Sequence, residues 1–459
     1  MMSPLDSRAL DINSESLGIS VKTLMHNAGK AVADYILANY PDAKIIFVCG
    51  PGNNGGDGFA AASFLHPENV TVALLKKAEN IHGEEARSFF DSLKCTVSDY
   101  GLIELDAYDL IVDCALGTGA SGTVRDPYRK FIKDCAQLGD RIISVDVPSG
   151  FFSDVRIIPS TTITFHDLKT GMDESSCGRI VVADIGIPSE AVDCVGPGDM
   201  IRYPIPAKNS HKGQNGKLMI IAGGPYYGAP AMASYSALRT GADIVRLYSP
   251  ESIFNIVAQI SPVLMITPLP GNVLTPESIP SLLEESAKYD AVLIGPGLGT
   301  DKRTVDAVRM FVSGCKTPMV IDADGITAVS GMRFDAQTVL TPHKAEFRAL
   351  GGCCDVRELS NELHATIILK GAADEISDGQ RTRLNRTGTP AMTGAGTGDV
   401  LAGCIAALLS KGMSPFDSAC LGAFICGKAG EYAADEKSYG LIATDVIENI
   451  PKVLRNLIP

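Results

Sequence analysis

Short apolar, β-branched runs alternate with longer amphipathic stretches over the first 200 residues. The runs predict strands at Ile45–Cys49, 70–75, 110–112, Ile142–Val145 and Thr161–Phe165. The stretches around them predict helices near 22–39, 57–65, 83–94 and 127–138. Because the predicted strands are continuously apolar, they favour a parallel sheet that is covered by helices on both faces.

This pattern lapses at 200–216, which is rich in proline, glycine and polar residues, and then restarts. We therefore predict one domain over 1–205 and a second over 206–459. The second has predicted strands at 217–222, 243–248, 291–294, 318–321, 338–341 and 366–369, and closing helices at about 398–410, 415–434 and 443–456. A chain of 459 residues is longer than one ordinary core supports, which agrees with two α/β domains.

Composition excludes several classes of function. A net charge of −13 disfavours nucleic acid and anionic membranes as partners. No apolar run approaches the roughly 20 residues that cross a bilayer, and the N-terminus lacks an apolar signal core. The twelve cysteines contain no C-x-x-C and the seven histidines are scattered, which predicts buried reduced thiols. We expect a cytoplasmic homo-oligomer that acts on small molecules.

A glycine-rich turn follows the first predicted strand and opens a helix. Segment 50–55 satisfies G-x-G-x-x-G in the context of a dinucleotide-binding fold. Lysines stand where that fold expects an acidic residue after the second strand, which argues against ordinary dehydrogenase geometry. Asn53, Asn54 and Asp57 bring oxygens that suit a hard cation or ribose hydroxyls.

Acidic residues also follow two further strands. Asp113 precedes the glycine turn 117–123, and Asp146 precedes the turn 147–150. Strand carboxyl ends line the ligand crevice of a parallel sheet, so we expect both to converge on the Asn-Gly loop. The alternative is that each aspartate only caps its loop. Lys169 follows the next strand and could form an acid–base pair with Asp146; a surface lysine is the alternative.

The second predicted site centres on segment 394–400, where small residues and Asp399 open an apolar helix. Free N–H groups at a helix N-terminus bind anions, and Asp399 beside a bound anion could accept a proton; the alternative is a helix cap. Glycine turns at 223–224 and 295–299 share this predicted edge. The ionisable residues that end neighbouring strands are Asp322, Asp324, His343, Glu346 and Lys370. This set is typical of a small-molecule kinase, but no P-loop motif is present.

Taken together, the motifs resemble the bifunctional NAD(P)H-hydrate repair enzymes, in which an epimerase is fused to an ADP-dependent dehydratase. In the first half they lie at 52–58, 112–113, 117–119, 145–150 and 169–171. In the second half they lie at 210–213, 220–223, 228–229, 294–299, 321–324, 341–343, 369–370 and 396–399. The resemblance covers nearly the whole chain. It implies α/β architecture, with a Rossmann-like three-layer domain followed by a ribokinase-like domain.

The resemblance also implies a reaction. The epimerase interconverts the R and S hydrates of NADH and NADPH. The dehydratase uses ADP to phosphorylate the extra ring hydroxyl of the S form, and phosphate then leaves, which restores NAD(P)H and gives AMP. The implied cofactors are K⁺ in the epimerase domain and Mg²⁺ with ADP in the dehydratase domain.

The family's site residues carry over by position. The catalytic residues are Asp146, Lys169 and Asp399. The epimerase substrate contacts are Asn53, Asn54, Gly55, Gly56, Asp57, Gly117, Thr118, Gly119, Ala120, Ser121, Gly122, Thr123 and Asp146, and the K⁺ ligands are Asn54, Asp113 and Ser149. The dehydratase substrate contacts are Ala229, Gly297, Gly299, His343 and Asp399, and the nucleotide contacts are Lys370, Gly371, Ala372, Ala373, Asp374 and Gly398.

Three departures from the family pattern stand out. Thr397 replaces a serine in the glycine turn before Asp399, Lys344 and Ala345 replace a Pro-Gly pair, and 165–168 lacks the usual lead-in to Lys169. One rival function is a small-molecule kinase fused to a nucleotide-binding domain, which the Asn-Asn-Gly-Gly-Asp domain disfavours. The other is a non-catalytic scaffold or ligand-binding module, which the retained acidic and lysine residues disfavour.

Overall fold

The computed structural model describes residues 1–334, 337–353 and 355–457. The chain forms two compact units, and the second begins at Val192, earlier than the predicted boundary. Residues 192–205 belong with the second unit because Val195, Met200 and Tyr203 lie in its core. Part of this segment, Pro197–Arg202, forms a short 3₁₀ helix. Its proline and glycine residues make the same segment look like a linker when only composition is considered.

The first unit, which is described throughout, has a seven-stranded parallel sheet. Its strands are β1 (Ile45–Cys49), β2 (Val70–Leu74), β3 (Thr96–Asp99), β4 (Leu110–Cys114), β5 (Ile142–Val145), β6 (Thr161–Phe165) and β7 (Arg179–Ala183), in the order β3-β2-β1-β4-β5-β6-β7. Its helices are α1 (Pro4–Ser16), α2 (Val21–Asn39), α3 (Asn53–Ser63), α4 (Glu84–Asp91), α5 (Tyr128–Asp134), α6 (Glu174–Cys177) and, at the boundary, α7 (Ser189–Asp193). Apolar clusters cover both faces of the sheet, so its ligand crevice opens at the strand ends.

The described part of the second unit has a nine-stranded sheet in the order β10-β9-β8-β11-β12-β13-β14-β15-β16. Its strands are β8 (Lys217–Ile221), β9 (Ile244–Pro250), β10 (Met265–Leu269), β11 (Ala291–Ile294), β12 (Met319–Ile321), β13 (Thr338–Leu340), β14 (Thr366–Leu369), β15 (Asp374–Ser377) and β16 (Thr382–Asn385). The pairings from β10 to β14 are parallel, and β15 and β16 add an antiparallel edge. Its helices are α8 (Gly228–Arg239), α9 (Glu251–Ala258), α10 (Ile279–Ser286), α11 (Lys302–Gly314), α12 (Asp324–Ala328), α13 (Lys344–Ala349), α14 (Val356–Leu363), α15 (Thr397–Ser410), α16 (Pro415–Lys437) and α17 (Ala443–Leu457).

Helix α15 is the central helix of the second unit, because it is buried from Val400 to the end of the helix. It packs against α8 so closely that a Cβ at Gly403 would lie 2.0 Å from Ser236 Oγ. It also contacts β8, β11 and β12. This packing fixes the start of α15, and with it Asp399, relative to the sheet.

The eleven described cysteines are free thiols, and nine of them are buried. Cys353 is exposed and Cys95 is half-buried, while Cys354 lies outside the described residues. Over those same residues, the helices are too short or too polar for one of them to traverse a bilayer.

Candidate active sites

The first unit has a cavity of about 530 Å³ at the carboxyl ends of its strands. Ten of the predicted epimerase residues line it: Asn53, Asn54, Gly55, Asp57, Gly117, Thr118, Gly119, Ala120, Asp146 and Lys169. The wall also includes a residue set that the sequence did not indicate, which comes from α1: Pro4, Ser7, Arg8, Leu10 and Asp11. The loops after β1, β4, β5 and β6 therefore meet as predicted, but Asp113 itself is fully buried and does not line the cavity.

An ion pair between Lys169 and Asp146 lies in this cavity. Lys169 Nζ is 2.8 Å from Asp146 Oδ1, and the lysine side chain is only 2% exposed while the aspartate is 16% exposed. The ammonium also donates to Thr164 Oγ1 at 3.1 Å and to the Phe165 carbonyl oxygen at 2.8 Å. The lysine is therefore held away from solvent, and the aspartate is the partner that faces the cavity.

The backbone at Asp146 is strained. Its φ is +64°, in the left-handed region that residues with a Cβ rarely adopt. The Asp146 N–H donates to the Ile163 carbonyl oxygen at 2.8 Å, and the Val147 N–H donates back to Val145 at 2.8 Å, which hold this conformation. Such strain concentrates at functional positions, and here it directs a carboxylate to the end of β5.

Two more carboxyl groups share the cavity. Burial and the charge of Asp146 raise the pKa of Asp11 to about 6, and Lys169 lowers it in part. Burial, with the charges of Asp146 and Asp11, raises the pKa of Asp57 well above its usual value. The Lys169 ammonium therefore offsets the charge of three neighbouring carboxyl groups, and this excess of negative charge favours a bound proton on at least one of them.

Asp113 faces the protein interior beneath this cavity. Its Oδ2 accepts hydrogen bonds from Ser144 Oγ and the Ser149 N–H, both at 2.8 Å, and its Oδ1 accepts from Ser149 Oγ at 2.5 Å. Burial raises the pKa of Asp113 although these bonds lower it. The Asn54 side chain is buried nearby, beside Gly117, and neither its Oδ1 nor its Nδ2 has a hydrogen-bond partner.

Four predicted substrate residues do not line the cavity. Gly56 is buried against helices, because a Cβ there would meet Met25 and Ala86 side-chain atoms within 3 Å. Ser121, Gly122 and Thr123 are exposed beyond the lining part of the same loop.

In the second unit, a lysine–aspartate pair lies at the ends of β12 and β14. Lys370 Nζ donates to Asp322 Oδ1 at 2.9 Å, and Thr341 Oγ1 donates to the same oxygen at 2.5 Å. Here the aspartate is 2% exposed and the lysine 21%. Burial lowers the pKa of Lys370, but Asp322, Glu346 and Asp399 outweigh it, and the net shift is upward.

Asp399 lies in the first turn of α15 and is half-buried. Burial and the charge of Asp322 raise its pKa to about 7, Lys370 lowers it, and Asp324 raises it further. A Cβ at Gly398 would lie 3.5 Å from Lys370 Nζ, so the ammonium adjoins the open N–H groups of the helix. A carboxylate that titrates near neutrality beside an anion site is suited to act as a general base.

The glycine turns after β8 and β11 meet each other. A Cβ at Gly297 would lie 3.0 Å from the Tyr226 carbonyl oxygen and 3.2 Å from Ala229 Cβ. At Gly299 a Cβ would lie 2.7 Å from Pro225 Cγ, and the Gly299 N–H donates to Asp324 Oδ2 at 2.8 Å. The predicted contacts Ala229, Gly297 and Gly299 are thus brought together.

His343 has a structural role that the sequence did not predict. Its Nδ1 accepts from the N–H groups of Ala345 at 3.1 Å and Glu346 at 3.2 Å, and Glu346 Oε2 accepts from the His343 N–H at 2.8 Å. This capping box starts α13, and the imidazole remains 57% exposed. Its Nε2 lies 3.6 Å from Glu346 Oε1, so the same glutamate adjoins both sides of the histidine.

The predicted nucleotide segment forms a tight turn between β14 and β15. Gly371, Ala372 and Ala373 are exposed. Asp374 stabilises the turn, because its Oδ1 accepts from the Gly371 N–H at 3.1 Å and its Oδ2 accepts from Asn385 Nδ2 at 3.0 Å. Both carboxylate oxygens of Asp374 therefore hold this turn in place.

Comparisons with known proteins agree with this geometry. Residues 21–171 match the family model described as YjeF-related protein N-terminus, and residues 218–452 match the model described as NAD(P)H-hydrate dehydratase. The chain is 39% identical over 494 residues to the bifunctional NAD(P)H-hydrate repair enzyme of Methanothermobacter thermautotrophicus, covering 99% of this chain and 95% of that protein. The corresponding enzyme of Pyrobaculum aerophilum is 38% identical over 483 residues, covering 97% and 96%.

The chain belongs to the family of bifunctional NAD(P)H-hydrate repair enzymes. Among solved structures, the ADP/ATP-dependent NAD(P)H-hydrate dehydratase of Bacillus subtilis, co-crystallised with ATP and Mg²⁺, matches with a TM-score of 0.51 and 23% identity. It covers 58% of this chain and 98% of that chain, and supports the ribokinase-like fold. The predicted family, the α/β fold class and the pairing of an isomerase with a lyase are confirmed.

As a member of this repair family, the protein has site features that sequence reasoning missed. The family pattern assigns no role to Asp322, Asp324 or Asp11, although each adjoins the charged groups of a site. A signal for α1 was available, since Ser3, Pro4 and Asp6 form a capping box with proline at the first helical position.

Proposed function

We propose that this protein repairs hydrated NADH and NADPH in two steps, one in each unit. The first unit equilibrates the R and S hydrates, and the second removes water from the S form with ADP, giving AMP and phosphate. The observation that supports the second step most directly is Asp399 beside Lys370 at the start of α15, where a hydroxyl and a phosphoryl group could meet.

In the dehydratase step, Asp399 would take the proton from the ring hydroxyl as that oxygen attacks the terminal phosphorus of ADP. The open N–H groups of α15 and the Lys370 ammonium would stabilise the charge on the transferring phosphoryl group. The lone pair of the ring nitrogen then expels phosphate as the ring C–O bond breaks, because phosphate is a far better leaving group than hydroxide, and loss of a proton from the adjacent ring carbon to solvent restores the C=C bond. The exposed turn 371–373 is suited to contact the rest of the nucleotide.

In the epimerase step, Asp146 would transfer a proton at the hydrated ring carbon, while Lys169 stabilises the charge of the Asp146 carboxylate and fixes its orientation. The glycine-rich loops after β1 and β4 would enclose the substrate, since they line the same cavity. The strained backbone at Asp146 supports this assignment.

K⁺ would be held beneath this cavity by Asn54, Asp113 and Ser149. Amide, carboxylate and hydroxyl oxygens are hard donors, and the buried Asn54 Oδ1 lacks any other partner, so the residues fit the ion. Bound K⁺ would supply positive charge near the substrate loops. The described residues contain no cluster of three His, Cys, Asp or Glu side chains arranged for a metal, so the proposed site depends on these mixed oxygens.

Mg²⁺ would bind together with the nucleotide phosphates in the second unit. Asp324 fits such a role, because its Oδ1 accepts no hydrogen bond among the described residues while its Oδ2 holds the Gly299 N–H. Bound Mg²⁺ would neutralise phosphate charge.

Action in the cytoplasm and assembly as a homo-oligomer stay predictions.

The decisive experiment supplies the full chain with a mixture of R and S hydrates and ADP, and follows the near-ultraviolet absorbance of restored NADH. Two active units convert the whole mixture in one phase. A fast partial phase, followed by a phase at the uncatalysed rate of epimerisation, would reject the epimerase. No recovery of absorbance with ADP or ATP would reject the dehydratase, and nucleotide consumption with unrelated alcohols alone would favour the kinase alternative.

A further inference from the structure

Helix α1 presents one polar face to the cavity of the first unit. Pro4, Ser7, Arg8 and Asp11 line the cavity, and their spacing places them on a single side of the helix. Leu10 and Ala9 are buried in the core and fix the rotation of the helix. The face is therefore a built part of the cavity wall.

Polar groups on this face lack partners within the protein. Ser7 Oγ is buried without a hydrogen bond. The described residues offer no hydrogen-bond donor and no ion-pair partner within bonding distance of the Asp11 carboxyl, although it is half-buried. Buried polar atoms normally have partners, so the unpartnered Ser7 Oγ on the same face as the unpaired Asp11 carboxyl indicates a ligand that contacts this face.

The start of α1 is fastened beside the catalytic lysine. The Met2 N–H donates to the Leu168 carbonyl oxygen at 2.7 Å, and the Thr170 N–H donates to the Met2 carbonyl oxygen at 2.9 Å. This bridge flanks Lys169 on both sides in sequence. It ties the position of Asp11 to the position of the ion pair.

The charge environment of Asp11 suits proton transfer near neutrality. Its pKa of about 6 results from burial and from Asp146, against the opposing effect of Lys169. The remaining charged or titratable groups that line the cavity are Arg8, Asp57, His82, Tyr128 and His166.

We propose that Asp11 is a second catalytic acid–base residue of the epimerase, acting on the ring face opposite to the Asp146–Lys169 pair. This role rests on the proposed epimerase function. Inversion at one carbon breaks a bond on one face and forms a bond on the other, so a single fixed group cannot serve both. Asp11 reaches the cavity from α1 and Asp146 from the end of β5, so the two carboxyl groups come from different elements of the fold.

The step balances as follows. Protonated Asp11 donates its proton to the ring hydroxyl, the C–O bond breaks, water leaves, and the lone pair of the ring nitrogen forms a C=N bond. A water molecule on the other face then adds to the same carbon, the C=N electrons return to nitrogen, and Asp146 accepts the proton. Solvent returns that proton to Asp11, and the reverse reaction exchanges the two roles.

The test uses the full-length chain and the purified R hydrate without nucleotide, with the R and S forms separated by chromatography. We expect Asp11→Asn to lower the epimerisation kcat by about 10² or more with little change in KM, which is the scale of a lost acid–base group. The wild-type rate should fall as the pH rises above about 6, because Asp11 must be protonated to donate. This limb should be absent from the Asp11→Asn profile.

Glu15→Gln is the matched control, since Glu15 is an exposed carboxylate on α1 outside the cavity lining. It should keep wild-type epimerisation, and both variants should match the wild type in far-ultraviolet circular dichroism and in thermal unfolding, which report an intact first unit. Asp11→Asn activity within about threefold of wild type, or an unchanged pH limb, would overturn the proposal. A wild-type chain that does not accelerate equilibration would instead reject the epimerase function itself.

Discussion

Each unit holds a lysine–aspartate pair at the carboxyl ends of its strands, and the more exposed member of the pair differs between the two units. Lys169 is 2% exposed and Asp146 16%, whereas Asp322 is 2% exposed and Lys370 21%. The nitrogen–oxygen distances, 2.8 Å and 2.9 Å, are nearly the same. The accessible partner therefore fits the role that we propose for each unit: a carboxylate for proton transfer at a ring carbon, and an ammonium for a phosphate.

The burial of the other partner has its own consequence. A buried ion pair is favourable only while both members are present, since removal of one leaves an uncompensated charge. In the first unit, Thr164 and Phe165 hold the lysine in addition to Asp146. In the second unit, Thr341 holds the aspartate in addition to Lys370. Each sheet thus anchors the group that the substrate does not need to reach.

The largest expected effect is that of Asp399→Asn on the second site. The amide keeps the shape of the side chain but cannot accept the proton, so dehydratase turnover should fall by about 10² or more while nucleotide binding remains. Restored NADH absorbance and nucleotide titration measure the two quantities. Unchanged turnover would contradict the assignment of Asp399 as base, and epimerisation in the same variant serves as the internal control.

The same variant should be more stable. The folded pKa of Asp399, about 7, exceeds its ordinary value of 3.8, so its ionisation destabilises the fold progressively as the pH rises through that interval. Asp399→Asn should therefore raise the free energy of unfolding at pH 8 by at most about 4 kcal/mol, and have little effect near pH 3. Denaturant unfolding at both pH values measures this, and a destabilised variant at pH 8 would contradict it.

Asp146→Asn should produce the reciprocal pattern. It removes the accessible carboxylate of the first pair, so R-to-S equilibration should slow by about 10² or more and dehydration of the S hydrate should be unaffected. Chromatography of the two hydrates measures the first rate. Asp154→Asn, at a carboxylate outside the cavity lining, is the control and should retain activity.

Lys370→Met should have a smaller effect on the rate and a clear effect on binding. Loss of the ammonium leaves Asp322 without its ionic partner and removes positive charge from the proposed phosphate site, so the nucleotide KM should rise by roughly tenfold or more. Lys344→Met, at an exposed lysine on α13, is the control. Equal KM values in the two variants would mean that Lys370 acts only within the fold.

The dehydratase rate should depend on pH through Asp399. Because the base must be ionised, kcat/KM should fall about tenfold per pH unit below its pKa of about 7. The epimerase has an opposite dependence in this range if Asp11 donates as a protonated acid. Dehydratase activity that is flat between pH 5 and about 7 would break this part of the comparison.

Gly297→Ala should show the smallest effect. Its φ is +69°, and the added Cβ would press on Tyr226 and Ala229, so we expect a loss of roughly 1–2 kcal/mol in stability and a severalfold rise in the hydrate KM. Gly440→Ala is the control, because Gly440 is exposed and a Cβ there would meet nothing within 4 Å. Equal behaviour of the two variants would show that the contact of the two turns is not needed.

Much of the fold could be predicted from the chain because its central strands are buried on both faces. Strands β1, β5 and β14 are largely apolar runs, and β6 is a run rich in β-branched residues, so sequence pattern detects all four directly. Strands β3, β7, β10, β15 and β16 are absent from the prediction. Four of them lie at sheet edges, where few positions are fully buried, and β15 belongs to the antiparallel edge. The glycine turns were also visible, because close backbone approach requires glycine whatever lies around it.

The sequence by itself determined which chemical groups stand at the strand ends, since residue type and strand direction are local properties. Only the tertiary structure decided which of them meet, which are sealed and which face the ligand. Lys169 is sealed while Lys370 is accessible, His343 caps a helix, and Asp11 reaches the cavity from a helix at the start of the chain. The physical reason is that exposure and pKa depend on the neighbours that packing brings together, and those neighbours are distant along the chain.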